Sequence, residues 1–173
     1  MKKIKDLSRL DIAELTRQLP KEKGSYLLFF EMKHAKTIRV GKLTETEFLP
    51  GFYAYVGSAF GPGGLHARLR HHLSISERCH WHLDYVRPEM EFLCLWMTED
   101  KESREHDWAS VLQDLPTAEI PVKDLGATDC QCRAHFFRFD QLPTLCEFRK
   151  QLRLRGILNA GVDEVSRYQL EVA

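Results

Sequence analysis

Several things are scarce in this chain of 173 residues, and each scarcity narrows what it can be. Excess charge is absent: Lys plus Arg number 25, Asp plus Glu number 25, and the formal net charge is zero. No global basic field advertises a nucleic-acid partner, so any such binding must use a local patch whose charge is offset elsewhere. No apolar run is long enough to span a bilayer, and the opening MKKIKDLSRLDIAELTRQLP lacks the apolar core of a secretory signal. The expectation is a cytoplasmic protein with no membrane partner. Cysteine is sparse and odd in number, five in all, without the spacing of a secreted disulfide framework, which suits reduced thiols or a metal site. Internal repeats and low-complexity stretches are missing too. What remains, 43% hydrophobic and 29% charged, suffices for one well-buried core and falls short of two.

Periodicity sets out the elements. Residues 7 to 18 read as a short amphipathic helix, with Leu10, Ile12, Leu15 and Leu19 apolar and Pro20 as its stop. SYLLFFEM, TIRVGKL and FYAYVGSA are short β-branched or aromatic runs parted by turn-forming stretches, and read as an antiparallel set of strands. Pro62-Gly63-Gly64 opens a helix, LHARLRHHL, whose Leu65, Leu69 and Leu73 form one stripe. Arg68 borders that stripe and Arg70 points away. HWHLDYV, residues 80 to 86, reads as a short helix and EFLCLWM, residues 91 to 97, as a strand. A helix over about residues 101 to 113 puts Glu105 one turn before Trp108 on its core-facing side, where a carboxylate needs a partner or a task. AHFFRFD reads as a strand, Leu142 to about Leu154 as a helix, and Asp163 to Tyr168 as a further helix.

Glycine and tyrosine are costly where only packing is wanted, because glycine gives up conformational freedom and a tyrosine hydroxyl needs a partner. Yet Gly24-Ser25-Tyr26 and Tyr55-Val56-Gly57 sit on two apolar runs just before an arginine- and histidine-rich helix. Tyr26, Tyr55, a glycine-opened turn, Arg68 and an inward Glu105 are parts that phosphodiester hydrolysis uses. A glutamate holds a divalent cation, an arginine clamps charge developing on phosphorus, and a tyrosine or a metal-bound water handles the proton. Tyrosine serves as a base only where neighbouring positive charge lowers its pKa. Each residue also has an ordinary reading: strand tyrosines pack, Arg68 salt-bridges on a helix surface, and Glu105 answers a helix dipole, with Glu102 competing as the ligand.

With Leu65-x-x-Arg68-Leu69 after it, this pair of motifs resembles the GIY-YIG nuclease superfamily. Residues 24 to about 139 are similar to a small group there long labelled a domain of unknown function, found alone or fused to endonuclease III-like repair glycosylases. YVGSAFGPGGLHARLRHHL, HWHLDYV and GATDCQCRAHFF carry that likeness. The resemblance implies an α+β fold, a small, about three-stranded antiparallel sheet flanked by helices. It divides the chain into a helical extension over 1–23, a nuclease-like domain over 24–139 and a helical extension over 140–173 of the same unit. It further implies Mg²⁺ or Mn²⁺, DNA as partner, a repair glycosylase as a possible second partner, and cleavage by a water nucleophile. Tyr26, Tyr55, Arg68 and Glu105 become the catalytic set, with Glu105 the metal ligand. Gly57 becomes the motif glycine. Read from the residues themselves, the basic run His66, Arg68, Arg70, His71 and His72 is most often a solvated face and also suits a phosphate backbone, which makes Gly57, Ser58, His66, Arg70 and His72 the expected contacts to nucleic acid. Ser58 stands where many of these nucleases have lysine, so the charge activating Tyr55 must come from His66, His72 or Arg68. A noncatalytic nucleic-acid-binding module of the same fold, and a substrate of RNA, are the competing readings.

A second constellation is Cys130, Cys132 and His135, with Asp129 before it and Cys79, His80 and His82 elsewhere, ligand types suited to zinc. The Cys-x-Cys spacing argues against it, since structural zinc sites usually use Cys-x-x-Cys knuckles. The ordinary reading is that these residues hold the GATDCQC loop against the sheet. His80 or His82 can reach the site as an acid for the leaving group.

Overall fold

Side-chain alternation along three nine-residue strands organises the molecule. A computed structural model describes residues 12–157 and 166–169. Within them lie helix α1 (Ile12–Gln18), strands β1 (Gly24–Met32), β2 (Lys36–Arg39), β3 (Glu45–Phe48) and β4 (Gly51–Ala59), and helices α2 (Gly64–Leu73) and α3 (His82–Val86). Then follow β5 (Glu91–Glu99), α4 (Glu105–Gln113), β6 (Phe136–Phe139), α5 (Leu145–Leu154) and β7 (Ser166–Gln169). The fold is α+β, as expected: an antiparallel sheet in the order β6-β4-β1-β5-β7, flanked by helices, with β2 and β3 forming a separate two-stranded ribbon.

Strand β1 is central and buried on both faces, so its run of apolar residues feeds two cores. Tyr26, Leu28, Phe30, Tyr53 and Tyr55 face a core shared with Leu15, Leu65, Leu69 and Leu83, on α1, α2 and α3. Leu27, Phe29, Val56, Cys94 and Trp96 face the other, with Trp108, Val111, Leu112, Phe148 and Leu152 from α4 and α5. The register sets Tyr26 directly opposite Gly57.

Strand β6 is short. It pairs with Phe52 to Tyr55 of β4, and one further bond, from Val56 N–H to the carbonyl of His135, extends it. Beyond that point Gly57 to Ala59 are paired with β1 on one side only, among the described residues. The sheet therefore has an open edge where side chains from its two faces can meet.

Four expectations are corrected. The three-stranded sheet is the β4-β1-β5 centre of a five-stranded one, because β6 and β7 satisfy its outer backbone groups. TIRVGKL does not join that sheet; its Thr37–Arg39 part, with Lys36 before it, pairs with Glu45–Phe48, whose exposed Glu45 and Glu47 carry no apolar period to read. The helix expected from about residue 101 begins at Glu105, since the Asp100 side chain receives the N–H of Glu102 and the Ser25 hydroxyl that of Arg104, holding 100 to 104 as a turn. Residues 166 to 168, expected helical, are in β7, which pairs with Cys94 to Met97. Leu10 and residues 163 to 165 lie outside the described residues. No helix among the described residues is long and apolar enough to cross a membrane.

Candidate active site at the open edge of the sheet

The glycine-rich entry to α2 is shaped by backbone, not by a ligand. Gly63 and Gly64 have φ of 81° and 55°, and a Cβ on Gly64 would lie 2.1 Å from the carbonyl oxygen of Lys21. That approach lets the carbonyls of Glu22 and Pro20 accept the N–H groups of Leu65 (2.9 Å) and His66 (2.8 Å), satisfying the first donors of the helix. At its other end the buried Arg87 guanidinium donates to the carbonyls of His72, Leu73 and Met90. Clamped at both ends, α2 holds Arg68 in place, with its guanidinium carbon 4.5 Å from the centre of the Trp81 ring.

Trp81 is placed by Asp84, whose Oδ2 accepts the N–H groups of His80 (2.7 Å) and Trp81 (2.9 Å) while both oxygens lie 3.0 Å from His71 Nε2. Burial alone would raise the pKa of Asp84; the contacts with His72, those two N–H groups and His71 hold it well below the usual carboxylate range.

Arg68 and Trp81 form one wall of a cavity of about 420 Å³ whose other walls include Tyr26, Tyr55, Gly57, Ser58, Glu105, His82 and His135. Gly57 is required there by contact: a Cβ would sit 2.4 Å from the Tyr26 hydroxyl, which lies across it. Glu105 arrives from the opposite face of the sheet, at the start of α4, and reaches the cavity round the open edge. Its Oε2 accepts the Ser58 hydroxyl at 2.6 Å, and its Oε1 lies 3.1 Å from His135 Nδ1 without hydrogen-bond geometry. Burial raises the Glu105 pKa, and His135 and Ser58 more than offset it, so the carboxyl is held below its ordinary value.

The tyrosines behave in the opposite sense. Burial pushes Tyr26 well above the usual phenol range, and burial with Glu105 does the same to Tyr55; Arg68 opposes both and is outweighed. Each hydroxyl keeps its proton near neutrality, which corrects the expectation of Tyr55 activated by nearby charge. His72 cannot supply such charge, being buried, with its pKa lowered chiefly by burial. Its ring packs against Tyr26, Tyr55 and Trp81, at 6.0, 5.4 and 5.2 Å between centroids.

The cavity thus gathers Tyr26, Tyr55, Gly57, Ser58, Arg68, Glu105, Cys130 and His135. His66 and Arg70 are not among its lining residues, and His72, expected to touch nucleic acid, lies behind the tyrosines and cannot do so. Glu102 is exposed and pairs with Arg104 instead. His80 and His82 both line the cavity; His82 Nδ1 accepts the N–H of Gly126 at 3.0 Å, which leaves its proton on Nε2. Trp81 as the platform for Arg68 was not singled out from sequence, although HWHLDYV held it in view. His106 was missed as well, its only signal being adjacency to Glu105.

The loop over 124 to 135 closes on itself through Asp124 N–H to Arg133 O and His135 N–H to Leu125 O, both 2.8 Å. Its Gly126, at φ of 77°, lies against Tyr55 and His135. Cys130 Sγ is 3.6 Å from His135 Nε2, and Cys132 Sγ is 3.2 Å from His106 Nδ1. Burial and the neighbouring Cys130 push the Cys132 thiol up to about 11. The Cys-x-Cys spacing argues against one shared ion; in the fold each cysteine faces a histidine that spacing along the motif does not supply for both, His106 from α4 and His135 from just before β6.

A family model described as Domain of unknown function DUF123 matches residues 25–155. Comparison with curated proteins and with solved structures finds no match.

Proposed function

Taking as premise that the chain belongs to the DUF123 family, we propose that it is a metal-dependent DNA endonuclease of the GIY-YIG type, associated with repair. One observation carries the reading: Tyr26, Tyr55, Gly57, Arg68 and Glu105, drawn from two strands and two helices, converge on a single polar cavity. A packing role for each residue does not require that convergence.

Glu105 fits a hard divalent cation, being half-buried, held ionised and accompanied among the cavity-lining residues by Asp129, oxygen donors of the kind Mg²⁺ and Mn²⁺ take. Bound there, such a cation supplies positive charge to stabilise the leaving oxygen. Ser58 and His135 orient the carboxylate. Arg68, held against Trp81, presents its guanidinium to a phosphate in the cavity and offsets the charge that grows on it. Tyr26 and Tyr55 act as hydrogen-bond donors, since each retains its proton. His82 offers its Nε2–H to the departing oxygen.

The test is cleavage of end-labelled duplex, single-stranded, nicked and branched DNA with Mg²⁺ or Mn²⁺, beside R68A and E105Q. Each substitution is expected to lower the rate by about 10²–10³-fold. A parent chain that binds every substrate and cuts none would sink the enzyme reading and leave a nucleic-acid-binding module.

A further inference from the structure

Next to the carboxylate of Glu105 lies a cluster of which the nuclease reading uses only His135, and that only through its Nδ1 side. We propose that His106, Cys130, Cys132 and His135 form a structural zinc site that ties the first turn of α4, the 124 to 135 loop and the start of β6 together. The donor atoms all lie within 4.8 Å of one another. With Zn–S of about 2.3 Å and Zn–N of about 2.0–2.1 Å, a tetrahedral ion sets sulfur and nitrogen ligands about 3.6 Å apart. Of the observed pairs, His135 Nε2 to Cys130 Sγ at 3.6 Å matches that edge, and His106 Nδ1 to Cys132 Sγ at 3.2 Å is somewhat shorter.

A second observation concerns what surrounds the ligands. His135 is 1% exposed, and its Nδ1 has no hydrogen-bond partner although Glu105 Oε1 lies 3.1 Å away. A histidine that binds a metal through one nitrogen usually gives its other N–H to a carboxylate, and Glu105 is the carboxylate in position. The ring is thus arranged for Nε2 to ligate and Nδ1–H to turn to Glu105. Two sulfurs and two imidazoles select zinc over Mg²⁺ or Ca²⁺, which take oxygen ligands. Four protein ligands close the coordination shell, so the ion is structural and does not open to water. Binding releases the two thiol protons to solvent, leaving thiolates on the ion.

The site stands on its own ligands, whether or not the chain cuts DNA. Its test is the zinc content of the full chain purified after growth with added zinc, together with the absorption spectrum after exchange for Co²⁺. Expected are one zinc per chain and, with Co²⁺, a thiolate-to-metal charge-transfer band with the intense visible bands of tetrahedral cobalt. Cys130→Ser and Cys132→Ser should lose the ion, while a Cys79→Ser, Cys146→Ser double variant, which changes two exposed cysteines, keeps it. The cobalt spectrum reads the ligands in the parent chain, so a serine variant that fails to fold does not weaken the test. No bound metal, a different native metal, a cobalt spectrum without thiolate bands, or loss of zinc in the Cys79, Cys146 variant would each overturn the assignment.

Discussion

Gly57 contributes to the site by having no side chain. Gly57→Ala places a Cβ 2.4 Å from the Tyr26 hydroxyl, and Tyr26 is 1% exposed, so the substitution forces it to shift. The expected cost is about 1–3 kcal/mol, seen as a lower urea midpoint. Gly61→Ala is the control, since a Cβ there meets nothing within 4 Å. The sequence marked Gly57 as a motif residue, but not its reason, which is a contact across two strands. The same holds for Ser58. Its place in the motif was legible, whereas its bond to Glu105 depends on α4 being brought to the far side of β4.

Among the elements, α2 is the one whose entry decides the site, because it carries Arg68. A side chain at Gly64 would need φ of 55° and would meet the Lys21 carbonyl oxygen at 2.1 Å, with Glu22 O at 2.3 Å. Gly64→Ala should therefore destabilise the protein by more than about 2 kcal/mol, since backbone and not a flexible side chain stands in the way. Thermal melting followed by far-UV circular dichroism measures this, again beside Gly61→Ala. Periodicity located α2, β1, β4 and β5, whose apolar stripes are long. It missed β3 and mistook β7 for helix, since an edge or ribbon strand with polar residues leaves no stripe and is formed by pairing with a distant partner.

For the molecule as a whole, stability should depend on pH already in the histidine range. His72 is buried, and its folded pKa lies below the unfolded value near 6.5, so the unfolded chain takes up the proton first. Stability is unaffected above that value and is lost as pH falls from about 6.5 toward the folded pKa, by up to about 1.4 kcal/mol per pH unit. Asp84 acts in a lower window: its folded pKa is depressed, so its contribution is present above about 3.9 and is lost as pH falls below that toward the folded pKa. Urea unfolding between about pH 7 and pH 5 should show the first loss, and His72→Gln should flatten it. An unchanged slope in the variant would mean that His72 is not the group responsible.

The sequence by itself determined most of the long elements and the residue types of the candidate site, because those follow from side-chain periodicity and from chemistry local to a motif, while the α+β class came with the resemblance that those motifs carry. Tertiary structure alone decided which of those residues meet. Alternation tells which face of a strand a side chain takes, and it put Tyr26, Tyr55 and Gly57 on one face and Ser58 on the other. It cannot tell that β6 begins only at Phe136 and leaves the edge of β4 open beyond Val56, so that Glu105 and Arg68 reach one cavity from opposite sides of the sheet. Nor can spacing along the chain bring His106 to Cys132, since that closeness is set by how α4 and the 124 to 135 loop pack on the same edge.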